Sequence, residues 1–411
     1  MSKKKFLVIL GDGMADDPQE RLGGKTPLAA AHTPHLDRLA QTAEQGLLTT
    51  IPEGFPAGSD VANLAVFGYD PARYYTGRAP LEAASMGIEL GPDDVAFRCN
   101  LVNILHYQGR GFMHDFSAGH ITTAEARQVI EHLNGELGSE HLQFYAGVSY
   151  RHLMVIRDCP PELAALDLTP PHDITGQEIV HHLPENPASP IQQLMLSSQI
   201  ILHHLPFLRK KVEQGEVTAN SIWLWGQGKK PQLDSFSTRF GCNGVVISAV
   251  DLIKGIGICA GLEAMDVPGA TGYLDTNYEN KVSYALKSLQ NHDFVYLHVE
   301  APDEASHEGS LEKKVQAIED LDSRVIGPLV AGLQDSQAAF RMVVLPDHPT
   351  PIATKTHSSG PVPYLLHDSE ESSLGKAASY CEETARATGK HWPRGWEFMD
   401  YLINSSCRGK S

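Results

Sequence analysis

The stretch Phe6-Leu7-Val8-Ile9-Leu10-Gly11-Asp12-Gly13 decides the fold class of this chain. An apolar run without polar alternation is typical of a strand that is buried on both faces of a parallel sheet. Residues 294–299 and 341–345 form similar runs, and residues 311–333 between them have apolar side chains at helical spacing. Because buried strands alternate with helix, we expect an α/β fold with a mostly parallel sheet sandwiched by helices.

Each of these three runs is followed by an aspartate. In open parallel sheets, ligands bind beyond the carboxyl ends of the strands. Asp12, Asp303 and Asp347 are expected at that edge. Taken singly, an aspartate after a strand more often caps a helix than binds a ligand. Its occurrence after three separate strands favours a shared site.

Histidines accompany these carboxylates. His307 follows Asp303 by four residues, so the two side chains can face the same point, and His348 and His357 belong to the last two segments. A single histidine is more often an ordinary surface or core residue. Carboxylates and imidazoles together suit divalent ions such as Mn or Zn, and their number suffices for two sites.

Ser59 is the candidate nucleophile. Gly58 permits a tight turn into the apolar segment that follows, which places Ser59 at a helix N-terminus. Backbone N–H groups and the helix dipole favour an anion there. Taken alone, this pattern is typical of a plain serine cap. Beside two divalent ions, however, the same hydroxyl would be made nucleophilic.

Together, these residues resemble the two-metal site of the alkaline phosphatase superfamily. More narrowly, the chain resembles the archaeal-type branch of the 2,3-bisphosphoglycerate-independent phosphoglycerate mutases, a branch that also occurs in bacteria. The matching phrases span nearly the whole chain: Leu10-Gly11-Asp12-Gly13-Met14, Gly58-Ser59-Asp60-Val61-Ala62-Asn63-Leu64, Tyr69-Asp70-Pro71, Asp115-Phe116-Ser117-Ala118-Gly119-His120, Trp225-Gly226-Gln227-Gly228 and Pro363-Tyr364.

The resemblance implies a fold, a reaction and a set of site residues. The fold is alkaline-phosphatase-like, with a discontinuous metal-binding domain (1–89 and 237–411) and an inserted α+β cap (90–236). The reaction is the glycolytic interconversion of 3-phosphoglycerate and 2-phosphoglycerate through a phosphoserine, with two divalent ions and without 2,3-bisphosphoglycerate. One ion would be held by Asp303, His307 and His357, and the other by Asp12, Asp347, His348 and the Ser59 oxygen. The small phosphorylated hydroxy acid would contact cap residues: Asp115, His120, Arg98, Arg151, His152, Gln227 and Lys229.

Other functions remain open at this stage. Bacterial members of this branch are proposed to be homoserine kinase-like enzymes, and the metal ligands do not distinguish them from mutases. A plain phosphatase is a further possibility. A metal-binding or storage protein would need neither Ser59 nor an inserted domain. The chain also departs from the family in its two prolines after Asp347-His348, Pro349 and Pro351, which we expect to stiffen that loop.

Composition limits the partners. The net charge of −17 argues against nucleic acid, because affinity for phosphates rests on Lys and Arg. The six cysteines form no C-x-x-C pair, which is typical of reduced thiols, and no apolar run approaches the ~18 residues of a membrane span. We therefore expect a cytoplasmic protein without membrane partners, whose oligomeric state stays open. Within the expected cap, a Pro- and His-rich stretch (158–190) precedes a predicted helix over 191–213.

Overall fold

Thirteen strands form two sheets in residues 3–371 and 377–404, the part of the chain that this computed structural model describes. The first sheet has the order β13-β2-β12-β11-β1-β10-β8-β9, and the second has the order β4-β3-β6-β5 with β7 paired to β3. The strands are β1 (Lys5–Gly11), β2 (Glu44–Leu48), β3 (Val95–Tyr107), β4 (Arg110–Asp115), β5 (Leu142–Val148), β6 (Arg151–Ile156), β7 (Ser221–Lys229), β8 (Gly244–Ile247), β9 (Glu263–Met265), β10 (Phe294–Val299), β11 (Phe340–Leu345), β12 (Val362–Asp368) and β13 (His391–Trp392).

Helices connect most of these strands. They are α1 (Pro27–Ala30), α2 (Pro34–Ala40), α3 (Ser59–Val66), α4 (Pro71–Tyr74), α5 (Ala79–Ser85), α6 (Thr123–Leu137), α7 (Pro161–Ala164), α8 (Pro190–His203), α9 (Pro206–Glu213), α10 (Phe236–Phe240), α11 (Asp251–Cys259), α12 (Tyr278–Ser288), α13 (Ala301–Glu308), α14 (Leu311–Asp320), α15 (Gly327–Asp335), α16 (Glu382–Ala387) and α17 (Phe398–Asn404). Short 3₁₀ turns lie at Glu20–Leu22, Ile179–His182 and Gly395–Glu397, and a π-helical turn at Leu321–Ile326 joins α14 to α15. No helix of the described segments is both long and apolar enough to cross a lipid bilayer.

The chain divides into two compact units. Unit 1 consists of the described residues up to Tyr75 and from Gln232 onward, and it contains the first sheet. Unit 2 is Thr76–Pro231 and contains the second sheet. Unit 2 is thus inserted into the sequence of unit 1.

In unit 1 the predicted strands are the centre of the sheet. β1 pairs in parallel with both β10 and β11, and β12 pairs antiparallel with β11 and β2. One face packs its alternate apolar residues against α1, α2, α12, α14 and α15. On the other face, Phe67 after α3 stacks on Tyr296 of β10 with ring centroids 4.0 Å apart, and Phe236 of α10 packs on Phe294. The expected mostly parallel sheet between helices is confirmed.

In unit 2, the long strand β3 is the hub, because it pairs antiparallel with β4, β6 and β7. The sheet and helices α6, α8 and α9 share a hydrophobic core of their own. The unit is the α+β insertion that the sequence predicts. The predicted helix over 191–213 is wrong in one respect: Pro206 starts a second helix, α9, after α8 has ended at His203.

The bounds of unit 2 differ from the predicted 90–236. The unit begins at Thr76 and ends at Pro231, since α5 packs on its sheet. Ala79 and Ala83 of α5 share a buried cluster with Ala96 and Leu153 of that sheet. The assignment of the two units as a metal-binding domain and a substrate-binding cap stays a prediction.

Candidate metal centre and nucleophile

Three strand ends meet at one edge of the first sheet. In the sheet register, Leu10 of β1 lies between His298 of β10 and Leu345 of β11. The chain segments that follow these strands therefore emerge side by side, and they carry Asp12, the first turn of α13 and Asp347. Gly13, with a φ of +59°, allows this close approach, because a Cβ there would lie 2.3 Å from an oxygen of Asp303.

Asp303, His307 and His357 form the first candidate ligand group. Asp303 and His307 lie one turn apart on α13, and His307 Nε2 is 3.0 Å from Asp303 Oδ2. His357 Nε2 lies 3.5 Å from the same oxygen. The Nδ1–H of His307 donates to the carbonyl of Lys355 at 2.9 Å, so Nε2 is the ring nitrogen that faces the group.

Asp12, Asp347, His348 and Ser59 form the second group. His348 Nε2 lies 3.6 Å from Asp12 Oδ1, 3.3 Å from Asp347 Oδ2 and 3.0 Å from Ser59 Oγ. Asp347 Oδ1 accepts the backbone N–H groups of Gly13 and of His348. Ser59 is the first residue of α3, as the sequence predicts, with Gly58 before it in an extended conformation.

Thr350 connects the two groups. Its hydroxyl donates to Asp303 Oδ1 at 2.6 Å and lies 3.1 Å from His348 Nδ1. Because the hydroxyl proton is directed at Asp303, the Nδ1 of His348 must be the donor to Thr350. The Nε2 lone pair of His348 therefore faces the second group. Lys314, fully buried, donates to the Thr350 carbonyl at 2.9 Å and to Asp16 at 2.8 Å, which fixes this loop.

The electrostatics of the centre call for positive charge. Burial, followed by the charges of Asp347, Asp303 and Glu300, raises the pKa of Asp12 well above its ordinary value. Burial also acts to raise the pKa of Asp303, but hydrogen bonds from His307 and His357 outweigh it and hold that pKa well below its ordinary value. The hydrogen bond with Asp303 raises the pKa of His307 to about 9.

The donor set fits divalent metal ions. Asp303, His307 and His357 offer ligand atoms within 4.8 Å of one another, as do Asp12, Asp303 and His348. The buried Asp12 Oδ1 has no hydrogen-bond partner among the described residues, although an unpaired buried carboxylate oxygen is costly. Mn²⁺ and Zn²⁺ sites use carboxylate and imidazole ligands whose remaining polar atoms are held by hydrogen bonds.

Sequence reasoning missed the buried residues that hold these ligands. Asn63 of α3 donates to Asp347 Oδ2 at 2.8 Å and accepts a hydrogen bond from the Tyr296 hydroxyl at 2.6 Å. His298 lies 2.8 Å from Asp12 Oδ2. Tyr296 and His298 are two residues apart on β10 and so point to the same face. A histidine and a tyrosine in an otherwise apolar strand were the available signal.

In unit 2, the predicted anion contact Arg98 is buried and paired. Its Nε lies 2.9 Å from Glu82 Oε2, and its guanidinium sits 4.4 Å from the centroid of the Trp225 ring. Glu82 also interacts with Arg78 and, electrostatically, with Arg151. Glu82 is thus the carboxylate that several guanidinium groups of unit 2 face.

The other predicted contacts of unit 2 are less uniform. His152 is buried, and its Nε2 has no partner in the described residues, while burial lowers its pKa to about 3. Asp115 accepts hydrogen bonds within its own loop, from Ser117 and Gly119. His120 is exposed at the end of that loop.

Two predicted contacts are engaged elsewhere within unit 2. The Gln227 amide donates to the carbonyl of Leu166, and Lys229 pairs with Asp93 at 2.8 Å. Arg151 and His120, in contrast, both pack on the ring of Tyr150. The roles of the seven predicted cap residues as substrate contacts stay predictions.

Comparisons with known proteins agree with one another. Residues 40–207 match the family model described as 2,3-bisphosphoglycerate-independent phosphoglycerate mutase. A Geobacter sulfurreducens protein named probable 2,3-bisphosphoglycerate-independent phosphoglycerate mutase is 54% identical over 401 residues, 97% of this chain and 100% of that protein. A Methanosarcina barkeri protein of the same name, without "probable", is 52% identical and covers 93% and 95% of the two chains. The solved structure of PH0037 protein from Pyrococcus horikoshii superimposes with a TM-score of 0.82 at 26% identity, over 98% of both chains.

Proposed function

Because this chain belongs to the family of 2,3-bisphosphoglycerate-independent phosphoglycerate mutases, we propose that it interconverts 3-phosphoglycerate and 2-phosphoglycerate through a phosphoserine at Ser59, at a centre for two divalent ions. The family resemblance expected from the sequence is confirmed. The family is one of isomerases and is described as independent of the bisphosphoglycerate cofactor.

One observation carries the proposal. Ser59 Oγ lies 3.0 Å from His348 Nε2, so the side chain of this first residue of α3 contacts the second ligand group. A serine that served only as a helix cap would direct its oxygen at the N–H groups of its own first turn. The side chain of Ser59 is instead turned towards the metal ligands.

Each part of the site has a role in this proposal. Asp303, His307 and His357 would hold one ion, and Asp12, Asp347, His348 and Ser59 the other. When bound, two divalent ions supply positive charge that stabilises the phosphoryl group in transfer and favours the ionised hydroxyl of the nucleophile. The donor chemistry fits Mn²⁺ or Zn²⁺.

The chemical step conserves all groups. Ser59 Oγ forms a bond to phosphorus while the ester bond to glycerate breaks, and the proton lost by Ser59 is balanced by the proton gained by glycerate. The other glycerate hydroxyl then attacks the phosphoserine and frees Ser59. The N-terminus of α3 favours the anionic groups at this residue throughout.

Unit 2 supports recognition of the small phosphorylated acid. We propose that the guanidinium groups that face Glu82 bind an anionic group of the substrate, with Arg151 as the exposed member. Transfer to homoserine or simple hydrolysis would use the same ligand groups. The names of the relatives favour the mutase over both alternatives.

The test is a trapped intermediate. The Mn²⁺-loaded protein is mixed with 3-phosphoglycerate, quenched in acid and digested, and we expect phosphate on the peptide that contains Ser59. Ser59→Ala should lose this label and about 10⁶-fold in turnover, the scale found when a covalent nucleophile is removed.

The matched control is Ser310→Ala. Ser310 caps α14 by accepting from the backbone N–H of Lys313, so its loss should cost about 1 kcal/mol of stability and leave turnover intact. If Ser59→Ala keeps its turnover as this control does, Ser59 is not the nucleophile and the phosphoserine mechanism is wrong.

A further inference from the structure

A buried histidine lies beneath the second ligand group and is not itself a ligand. His298, on β10, is fully buried, and its Nε2 is 2.8 Å from Asp12 Oδ2. Its Nδ1 is 3.1 Å from the hydroxyl of Ser248, which is buried as well. Ser248, His298 and Asp12 thus form a line of hydrogen bonds that ends at a metal ligand.

The direction of these hydrogen bonds follows from their partners. The backbone N–H of Val250 donates to Ser248 Oγ at 2.9 Å. The hydroxyl proton of Ser248 is then free to be donated to His298 Nδ1. With Nδ1 as the acceptor, the ring proton is on Nε2 and is donated to Asp12 Oδ2.

This hydrogen bond gives the two carboxylate oxygens of Asp12 different surroundings. Oδ2 accepts from His298, whereas Oδ1 has no partner in the described residues and lies 3.6 Å from His348 Nε2. We propose that His298 is a positioning residue, which reserves Oδ1 of Asp12 for the metal by occupying Oδ2. This inference rests on the two-metal centre proposed above.

The surroundings of His298 fit positioning better than packing. Leu297 and Val299 point to the opposite face of the sheet, whereas both nitrogens of the buried His298 ring meet polar side chains, those of Asp12 and Ser248. The buried ammonium of Lys281 donates to the carbonyl of His298 at 3.0 Å, which fixes the strand at this residue. Outer partners of this kind typically orient metal ligands and strengthen metal binding.

The effect should be confined to one ion. His298 contacts Asp12, whereas Asp303 of the first group is held by Thr350. We expect His298→Leu to lower the affinity for one of the two Mn²⁺ ions by about 10- to 100-fold, the usual cost of losing a residue that holds a metal ligand. The affinity for the other ion should not change. The chelator-treated full chain is titrated with MnCl₂ alone, and bound ions are followed by calorimetry and by electron paramagnetic resonance.

Two further variants separate positioning from folding. His298→Gln keeps an N–H near the position of Nε2, so it should recover most of the lost affinity. Ser248→Ala leaves His298 in place but removes the donor to Nδ1, so it should lower the affinity for the same ion by a smaller factor. It also serves as the test if His298→Leu fails to fold.

A matched control is His367→Leu, which removes another histidine of the same sheet, half-buried on β12 against Phe340. It should lower the melting temperature without changing either Mn²⁺ affinity. If His298→Leu and Ser248→Ala bind both ions as tightly as the unsubstituted chain, the positioning role is overturned while the two-metal centre stands. If the unsubstituted chain binds fewer than two ions, the two-metal centre is overturned and this inference falls with it.

Discussion

At the residue scale, one amide joins the helix of the proposed nucleophile to a proposed metal ligand. The Asn63 side chain donates both to Asp347 Oδ2 and to the backbone carbonyl of Ser59, and it accepts from the Tyr296 hydroxyl. The amide is fully buried, so each of these bonds replaces one to water. Asn63 therefore fixes Ser59 and Asp347 relative to each other.

We predict that Asn63→Asp lowers turnover by about 10- to 100-fold, as expected when an outer partner of a metal ligand is lost. The substitution conserves shape but replaces a donor by an acceptor facing Asp347. Tyr296→Phe is the control, because it removes a bond to Asn63 and keeps the donation to Asp347. Equal losses of kcat/KM in the two variants would argue that only packing matters at this position.

A second residue-scale prediction concerns pH. Burial acts to raise the pKa of Glu82, but the charges of Arg98 and Arg78 outweigh it and hold that pKa below its ordinary value of 4.5. An acid with a lowered pKa in the folded state stabilises that state above its ordinary pKa, and this contribution is lost as the pH falls through the folded value. Glu82→Gln should cost about 3–5 kcal/mol at pH 7, because it leaves buried Arg98 without its counter-charge.

The gap in unfolding free energy between the parent chain and Glu82→Gln should therefore shrink as the pH is lowered below 4.5. Denaturant titrations from pH 7 to about pH 3 measure it. Glu178→Gln is the control, since its partner Arg110 is mostly exposed and 3.6 Å away, and such pairs contribute less than about 1 kcal/mol. A gap that stays constant as the pH falls below 4.5 would show that folding does not lower the pKa of Glu82.

The sequence predicted which residues could offer ligand atoms better than which residues hold them. Asp12 and Asp347 can be recognised because each follows an apolar run that ends in a turn. His298 and Asn63 lie inside a strand and a helix, and their partners are far away in sequence, so only the packed fold reveals the pairing. For the same reason Glu82 was not expected beside Arg98.

At the element scale, a π-helical turn anchors a neighbouring helix. Asp322 lies in the turn Leu321–Ile326 and accepts the backbone N–H groups of His35 and Leu36, at the start of α2. These N–H groups have no partner within α2, because the first turn of a helix has none to offer. The side chain of Asp322 thus caps a helix that is distant in sequence.

We predict that Asp322→Ala destabilises the chain by about 2–3 kcal/mol, because the N–H groups that the carboxylate accepts would lose their hydrogen-bond partner. Asp320→Ala, two residues earlier and partly exposed, should cost less than about 0.5 kcal/mol. Thermal unfolding of both variants measures the difference. Similar melting temperatures would show that α2 does not depend on this cap.

Elements with strong local signals were predicted well, and breaks in them were not. The buried strand β10 has the predicted bounds, and β11 begins one residue before the predicted 341–345. The predicted helix over 191–213 is interrupted because Pro206 has no N–H to continue α8. A proline suits the first turn of a new helix equally well, so a regular apolar pattern conceals the break.

At the scale of the whole molecule, the first and last chain segments of unit 2, which connect it to unit 1 in the sequence, lie side by side. The Thr76 hydroxyl donates to the carbonyl of Lys229 at 2.6 Å, and a Cβ on Gly77 would lie 2.1 Å from the carbonyl oxygen of Gln227. In unit 1, the Tyr69 and Tyr74 hydroxyls both bond to Asp234, so the ends left by removing unit 2 are close as well. All seven predicted metal ligands belong to unit 1.

We therefore predict that unit 1 folds and binds metal without unit 2. A chain in which 76–231 is replaced by a short Gly-Ser linker should unfold cooperatively and bind two Mn²⁺ ions with affinities within about tenfold of the full chain, because the ligands and their outer partners are all retained. It should lack mutase activity if unit 2 supplies the substrate contacts. Adding Asp303→Ala to the shortened chain is the control, and it should remove one ion. A folded shortened chain that binds no Mn²⁺ would mean that the metal centre needs unit 2, and the assignment of all ligands to unit 1 would be wrong.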